Sequence, residues 1–187
     1  MKFKPVEESK VIFSELMLPS YSNFSGKIHG GYILSLMDKI AFASASKFSG
    51  YYCVTASVDT VNFLNPIEIG ELVTLKASVN FVGNSSMIVG IRVESENIRT
   101  GECKHCNSSH FTMVAKDDSG TSIKVPGLII TTPDEIRRFY HGMRQTNLKK
   151  SNPKVAIDDY FDPTEMHLLF EEYNVQIKEV AKKHVKD

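Results

Sequence analysis

One carboxylate stands where apolar packing should leave none. Asp38 is the only acidic residue between Glu15 and Asp59, and it falls inside a run of helix formers from Gly30 to Phe48. Its same-face neighbours at helical spacing are Leu34, Ala41 and Phe42. Removing an ionised carboxylate from water is costly unless it is paired or used, so Asp38 is a candidate general acid or base. The pattern is equally compatible with an aspartate on a narrow solvent strip, or one bonded to a backbone group. Lys39 follows directly but lies roughly 100° away around a helix, so it is not an obvious partner.

Ahead of that run, residues 23–31 read NFSGKIHGG, a loop feeding a helix start. Gly30 and Gly31 would let a ligand approach amides that have no acceptor one turn back, where the helix dipole is also positive. Such a place can hold an oxyanion; two glycines can equally do no more than permit a tight turn. The phosphate-loop spacings G-x-G-x-x-G and G-x-x-x-x-G-K-[ST] are absent, as is the G-x-S-x-G serine elbow. Cys103, His105, Cys106 and His110 suggest a metal. On a continuous strand, however, cysteines three apart face opposite sides, and no second pair completes four ligands, so they read as strand residues. Arg137, Arg138, Arg144, Lys149 and Lys150 read as a solvated basic face with acids interspersed.

These residues need elements to hold them. The Gly30–Phe48 run is apolar nearly all round, which predicts a helix buried nearly all round and ended at Gly50. Val73, Leu75, Ala77, Val79 and Phe81 alternate with polar residues, and Met87, Val89, Ile91 and Val93 form a second period-2 series. The short Gly83-Asn84-Ser85 connection makes these two strands an antiparallel hairpin. Residues 52–64 and 106–116 complete four long strands joined by hairpins. A sheet of this kind can wrap the helix but leaves open edges, so pairing with a second copy is its natural completion.

The 187 residues suffice for one domain with an appendage, and 22 basic residues balance 22 acidic ones, so no overall field favours nucleic acid or anionic lipid. No apolar run reaches the roughly 18 residues of a membrane span, no apolar stretch backs the lysines of the opening segment, and three cysteines suit reduced thiols. The chain therefore reads as a cytoplasmic protein without membrane or nucleic-acid partners. Charge density roughly doubles after Thr132, dividing the chain into a core of residues 1–132 and an extension of residues 133–187. Two capping boxes, Thr132-Pro133-Asp134-Glu135 and Asp162-Pro163-Thr164-Glu165, predict helices there. The second helix carries Leu169, Tyr173, Ile177 and Val180 on one stripe.

Residues 14–41 (SELMLPSYSNFSGKIHGGYILSLMDKIA), 54–73 (VTASVDTVNFLNPIEIGELV), 82–94 (VGNSSMIVGIRVE) and 110–115 (HFTMVA) resemble, in order, the bacterial hotdog-fold acyl-CoA thioesterases. The resemblance implies an α+β fold, a single hotdog domain in which an antiparallel sheet wraps a long central helix, here with a C-terminal helical extension. It implies homo-oligomers, commonly hexameric trimers of dimers, and hydrolysis of acyl-CoA to free fatty acid and coenzyme A, a reaction of lipid and fatty-acid metabolism, without metal or cofactor. Carried over by motif, the catalytic residues are Asp38 and Asn23, meeting across a dimer interface, with His29, Gly30 and Gly31 in the oxyanion loop. The coenzyme would lie near Gly83, Asn84, Ser85 and Ser86. Family members often have arginine at the position of Asn84, which puts a direct phosphate contact there in doubt; Arg92, Arg99 or the basic extension could substitute.

Two other functions fit such a fold. A hydroxyacyl-thioester dehydratase pairs a histidine with an acid, but His29 in its H-G-G setting matches the thioesterase pattern better. A non-catalytic acyl-CoA sensor has no need of Asp38 and Asn23.

Overall fold

The computed structural model describes residues 2–151. The strands and helices are β1 (Phe3–Pro5), β2 (Val11–Leu16), α1 (Gly30–Ser49), β3 (Tyr52–Val58), β4 (Leu72–Val82), β5 (Ser86–Asn97), β6 (Glu102–Lys116), β7 (Gly127–Ile129) and α2 (Pro133–Ser151). Contacts divide the chain into residues 1–148 and 149–187. The capping box at Asp162 and its apolar stripe lie outside the described residues.

The α1 run contains no proline for 20 residues, and both of its ends are capped. His29 stays extended and accepts a hydrogen bond from the Gly31 amide on its ring, while Gly50 turns left-handed at φ 81° and donates to the Ser46 carbonyl. Ile33, Leu36, Met37, Ile40, Ala41, Ala45 and Phe48 form the buried face. Two serines tie the helix to the sheet side. Ser44 Oγ donates to the Ser9 carbonyl at 2.7 Å, and the Val79 amide donates to Ser9 Oγ at 2.9 Å. These buried polar atoms therefore keep their partners.

Five antiparallel strands in the order β2-β4-β5-β6-β3 curl around α1. The inward rows are those the alternation predicts: Val73, Leu75, Ala77 and Val79 on β4, and Met87, Val89, Ile91 and Val93 on β5, joined by Phe111, Met113 and Ala115 of β6. Residues 83–85 make the expected hairpin. The Thr132 capping box also forms: the Glu135 amide donates to Thr132 Oγ1 and the Thr132 amide to Glu135 Oε2, both at 3.2 Å. Hydrogen bonds from the Thr131 amide and hydroxyl help hold the Glu135 carboxyl below its ordinary range.

Three expectations need correction. First, Phe81 does not join the inner row. The β4–β5 register shifts between Val79 and Phe81, so Asn80 bulges and Phe81 pairs with outward-facing Ile88. The pair Phe81 and Ile88 then meets α2 through Phe139 and Gly142. Second, the strands are not one run of hairpins. β3 ends at Val58 and pairs with β6, leaving it as an edge, and residues 59–71 cross to β4 on the other side. Third, α1 is not buried all round. A sheet of five strands covers one side of it, leaving Gly31, Ser35, Asp38, Lys39 and Phe42 exposed along the other.

Candidate active site

Asp38 projects from the middle of the exposed strip of α1, beside β3. Thr55 Oγ1 donates to Asp38 Oδ1 at 2.5 Å and also approaches Met113 Sδ at 3.5 Å. A threonine fits here because its methyl and backbone suit the strand while its hydroxyl is free to turn toward the helix. Register shifts between Thr55 and Ser57, at the edge of the sheet, so a bulge lies next to this contact. The carboxylate thus has a fixed donor on one oxygen, leaving the other for water or a ligand.

Asn23 shapes the loop before the helix. Its Oδ1 accepts from the Ser25 amide at 2.9 Å, Ser25 Oγ at 2.7 Å and the Lys27 amide at 3.2 Å, and Gly26 at φ 76° completes the turn. The acceptor side of Asn23 is therefore committed, and what remains for chemistry is its donor amide. Asn23, His29 and Gly30 line one shallow cavity of about 600 Å³ together with Ser22 and Phe24. Gly30 occupies the first helical position, where an amide has no acceptor one turn back. The Gly31 amide is engaged, donating to His29 Nδ1 at 2.9 Å.

Phe63 closes over this helix start, and a Cβ on Gly30 would lie 3.1 Å from its Cζ. The crossing segment that carries Phe63 is tied down by Leu64 N to the Cys106 carbonyl at 2.8 Å and Asn65 Nδ2 to the His105 carbonyl at 2.8 Å. Behind it, buried Glu71 accepts from Lys104 Nζ at 2.8 Å, the Glu68 amide at 3.0 Å and Ser95 Oγ. Burial raises the Glu71 carboxyl, but the bonds from Lys104, Ser95 and the Glu68 amide prevail and hold it below its ordinary value.

The structure does not bring every expected site residue together. Gly83, Asn84, Ser85 and Ser86 form the hairpin at the far end of β4, where Asn84 and Ser85 carbonyls accept from Val125 and Ala115 amides. The chain at Ile67, which holds the loop before α1, precedes the other end of β4, so roughly 35 Å of strand separates that loop from the hairpin. Thr55, the partner of Asp38, lies nearer: it pairs with Met113 and Met113 with Met87, about 10 Å across two strand spacings. Arg92 lies on the outer sheet face, paired with Glu94 at 2.7 Å. Cys103 is exposed while Cys106 is buried, and burial pushes the Cys106 thiol up. Among the described residues no group of three His, Cys, Asp or Glu side chains is arranged for a metal ion.

Sequence reasoning missed Thr55 and Phe63. Both lie in strings already quoted, but a threonine in a strand and a phenylalanine in a β-rich stretch look like packing residues. Their meaning comes from contacts across 17 residues for Thr55 and 33 for Phe63.

Comparisons with known proteins bear on this geometry. The family model described as the Thioesterase superfamily matches residues 25–102. Protein VdlD of Helicobacter pylori is 40% identical over 143 residues, covering 76% of this chain and 82% of that one. The crystal structure of an apo hexameric acyl-CoA thioesterase superposes with a TM-score of 0.80 at 35% identity, covering 83% of this chain and all of the other. The Staphylococcus aureus acyl-CoA hydrolase, solved with butyryl coenzyme A and coenzyme A, superposes at 0.75 with 27% identity over 90% of this chain and 97% of its own. Alanine variants of that enzyme were solved at an asparagine, an aspartate 15 residues later and a threonine 17 residues after that. Asn23, Asp38 and Thr55 stand at the same two intervals. With a relative 35% identical and matched along its whole length, the conclusion follows that this chain belongs to the hotdog-fold acyl-CoA thioesterases of the thioesterase superfamily.

Proposed function

We propose that the chain hydrolyses acyl-CoA to free fatty acid and coenzyme A in the cytoplasm, with Asp38 as general base. The observation that carries this reading is the Thr55 to Asp38 hydrogen bond on the exposed strip of α1. In this mechanism Asp38 takes a proton from a water whose oxygen attacks the thioester carbonyl carbon. The developing oxyanion is met by the Gly30 amide, and by that of Gly31 once the His29 ring yields it; each such donor is typically worth about 3 to 4 kcal/mol in the transition state. The tetrahedral intermediate expels the coenzyme A thiolate, which needs no strong acid, and the proton held on Asp38 passes to the thiolate or to solvent. Thr55 is a positioning residue that fixes the carboxylate, and the donor amide of Asn23 orients the water or the carbonyl.

The active unit in this reading is a homodimer, itself part of a larger homo-oligomer such as a trimer of dimers. One feature supports it. Among the described residues, the strip carrying Asp38 and Phe42, the edge strand β3 and the fully exposed Phe24 present apolar surface and a sheet edge that a second copy could cover. The thioesterase core is assigned to residues 1–132, with residues 133–187 as an appended helical segment.

Thiol release from a panel of acyl-CoAs tests the proposal. Wild type should turn over, and Asp38→Asn should lose roughly 10² to 10⁴ in kcat, the range for a positioned general base. Unchanged turnover in that variant removes Asp38 from the mechanism. Mixing inactive Asp38→Asn and Asn23→Ala chains should restore activity where the two residues meet across an interface, and should restore none where each site is built in one chain.

A further inference from the structure

On the outer face of the sheet, away from Asp38, lies a second cavity of about 420 Å³ whose charged walls are all of one sign. Lys76 of β4 and Arg92 of β5 form one wall, Arg137 and Arg138 of α2 another, and Lys10 stands at the edge. Among the described residues no aspartate or glutamate lines it. Two carboxylates that are not among the lining residues are shared by these cations. Glu94 serves both Lys76 at 2.6 Å and Arg92 at 2.7 Å. Asp134 serves both Arg137 at 2.6 Å and Arg138 at 2.5 Å. Each pair of cations keeps one positive charge beyond its carboxylate, so the facing walls carry a surplus of about two, focused in a concavity. Lys10, at the edge, faces two carboxylates, Glu7 and Glu135, so the positive surplus belongs to the facing walls alone.

The inner end is built rather than incidental. Ser78 and Asn80 line the cavity and are both more than nine-tenths buried. Ser78 Oγ donates to Asn80 Oδ1 at 3.1 Å, and the Asn80 amide nitrogen lies so close over Gly90 that any Cβ there would sit 2.1 Å from it. The bulge that turns Phe81 outward is centred on this same asparagine. Gly90 makes room for that side chain, while Ile12 at one edge and the His110 ring, itself 5.0 Å from that of His141, give the lining its flat, partly apolar surface.

The geometry points to a binding site for a small phosphate monoester with a flat, partly apolar body. A dianion matches the surplus of two charges where a carboxylate matches half of it, and two arginine-bearing walls present the forked donors that suit phosphate oxygens. The volume lies within the usual range for small-molecule sites, roughly 300 to 1,000 Å³. Arg92 and Lys76 alternate with core residues of their strands and so face away from α1 and Asp38. The site is therefore separate from the proposed catalytic one. Two sources share this phosphate chemistry: a free ester, which the separation favours, and the phosphates of coenzyme A itself.

Calorimetric titration of the full-length protein with phenyl phosphate, at low salt, tests the assignment without reference to activity. The expected result is one saturable site per chain, with benzoate, a flat body of single charge, binding at least about tenfold more weakly. The variant Lys76→Gln should lose at least about tenfold in affinity through the removal of one charge-assisted contact. Its kcat and KM for butyryl-CoA should match wild type. Absence of a saturable site in wild type, benzoate binding as well as phenyl phosphate, or binding unchanged in the variant overturns the proposal. So does a raised KM for butyryl-CoA in the variant without one for butyryl-pantetheine, which would assign the cations to the coenzyme's phosphates.

Discussion

Replacing Thr55 by valine removes one hydrogen bond and almost nothing else. Valine keeps the β-branched shape, so β3 and its packing beside Met113 should persist, and any loss of stability should not exceed the worth of the hydrogen bond itself. What disappears is the 2.5 Å donor to Asp38 Oδ1. A hydrogen bond to a charged group is worth about 1.5 to 3 kcal/mol, with the lower end expected where water can replace the hydroxyl. Both residues are exposed in the single chain. A partner that covers the strip would push the value toward the upper end. If the contact acts only by holding the carboxylate in its reactive position, kcat/KM falls by roughly 10- to 150-fold. The assay is thiol release from butyryl-CoA, with Thr55→Ser as the rescue, since serine restores the donor without the methyl. Thr55→Ser should stay within about threefold of wild type. Wild-type kcat/KM in Thr55→Val, or equal damage in serine and valine variants, would show that the hydroxyl is not what matters.

Glu71 makes stability depend on acid. Its carboxyl titrates below the ordinary 4.5 in the folded chain, so its contribution is present in full above that value and is lost as pH falls below it, through the folded-state pKa. Thermal melts from pH 7 to 3 should show Glu71→Gln less stable by about 2 kcal/mol at neutral pH, with the gap narrowing in acid; a constant gap refutes the linkage. Gly50→Ala forces an alanine to φ 81° at the end of α1 and should cost about 1 kcal/mol by chemical denaturation. Thr132→Ala removes the cap of α2 and should also cost about 1 kcal/mol of helix stability, read by circular dichroism. Met113→Ala empties a fully buried position beside Thr55 and should destabilise by about 2 to 5 kcal/mol.

How the chain was legible can be followed residue by residue. The α1 run, its stop at Gly50, the inward rows of β4 and β5, the Gly83–Ser85 hairpin and the Thr132 box could all be read because each depends on neighbours a few positions apart. Helical and strand periodicity, caps and tight turns are local physics, so residue order determines them. Asp38 also stood out, because a lone acid in an apolar helix conflicts with its local surroundings.

Other features depended on which distant segments packed together. That β3 pairs with β6 and stays an edge, that Asn80 bulges and turns Phe81 toward α2, and that one strip of α1 is exposed all follow from how a curled sheet closes around a helix. The donor to Asp38 is Thr55 for the same reason, since no spacing rule links a helix residue to a hydroxyl on the next strand. The outer cavity likewise needs β4, β5 and α2 in one place before four cations can share two carboxylates. Residue order settled the elements and pointed to the acid, because those rest on short-range periodicity. Tertiary packing alone decided which groups meet it, because those contacts join segments that only the closed sheet brings together.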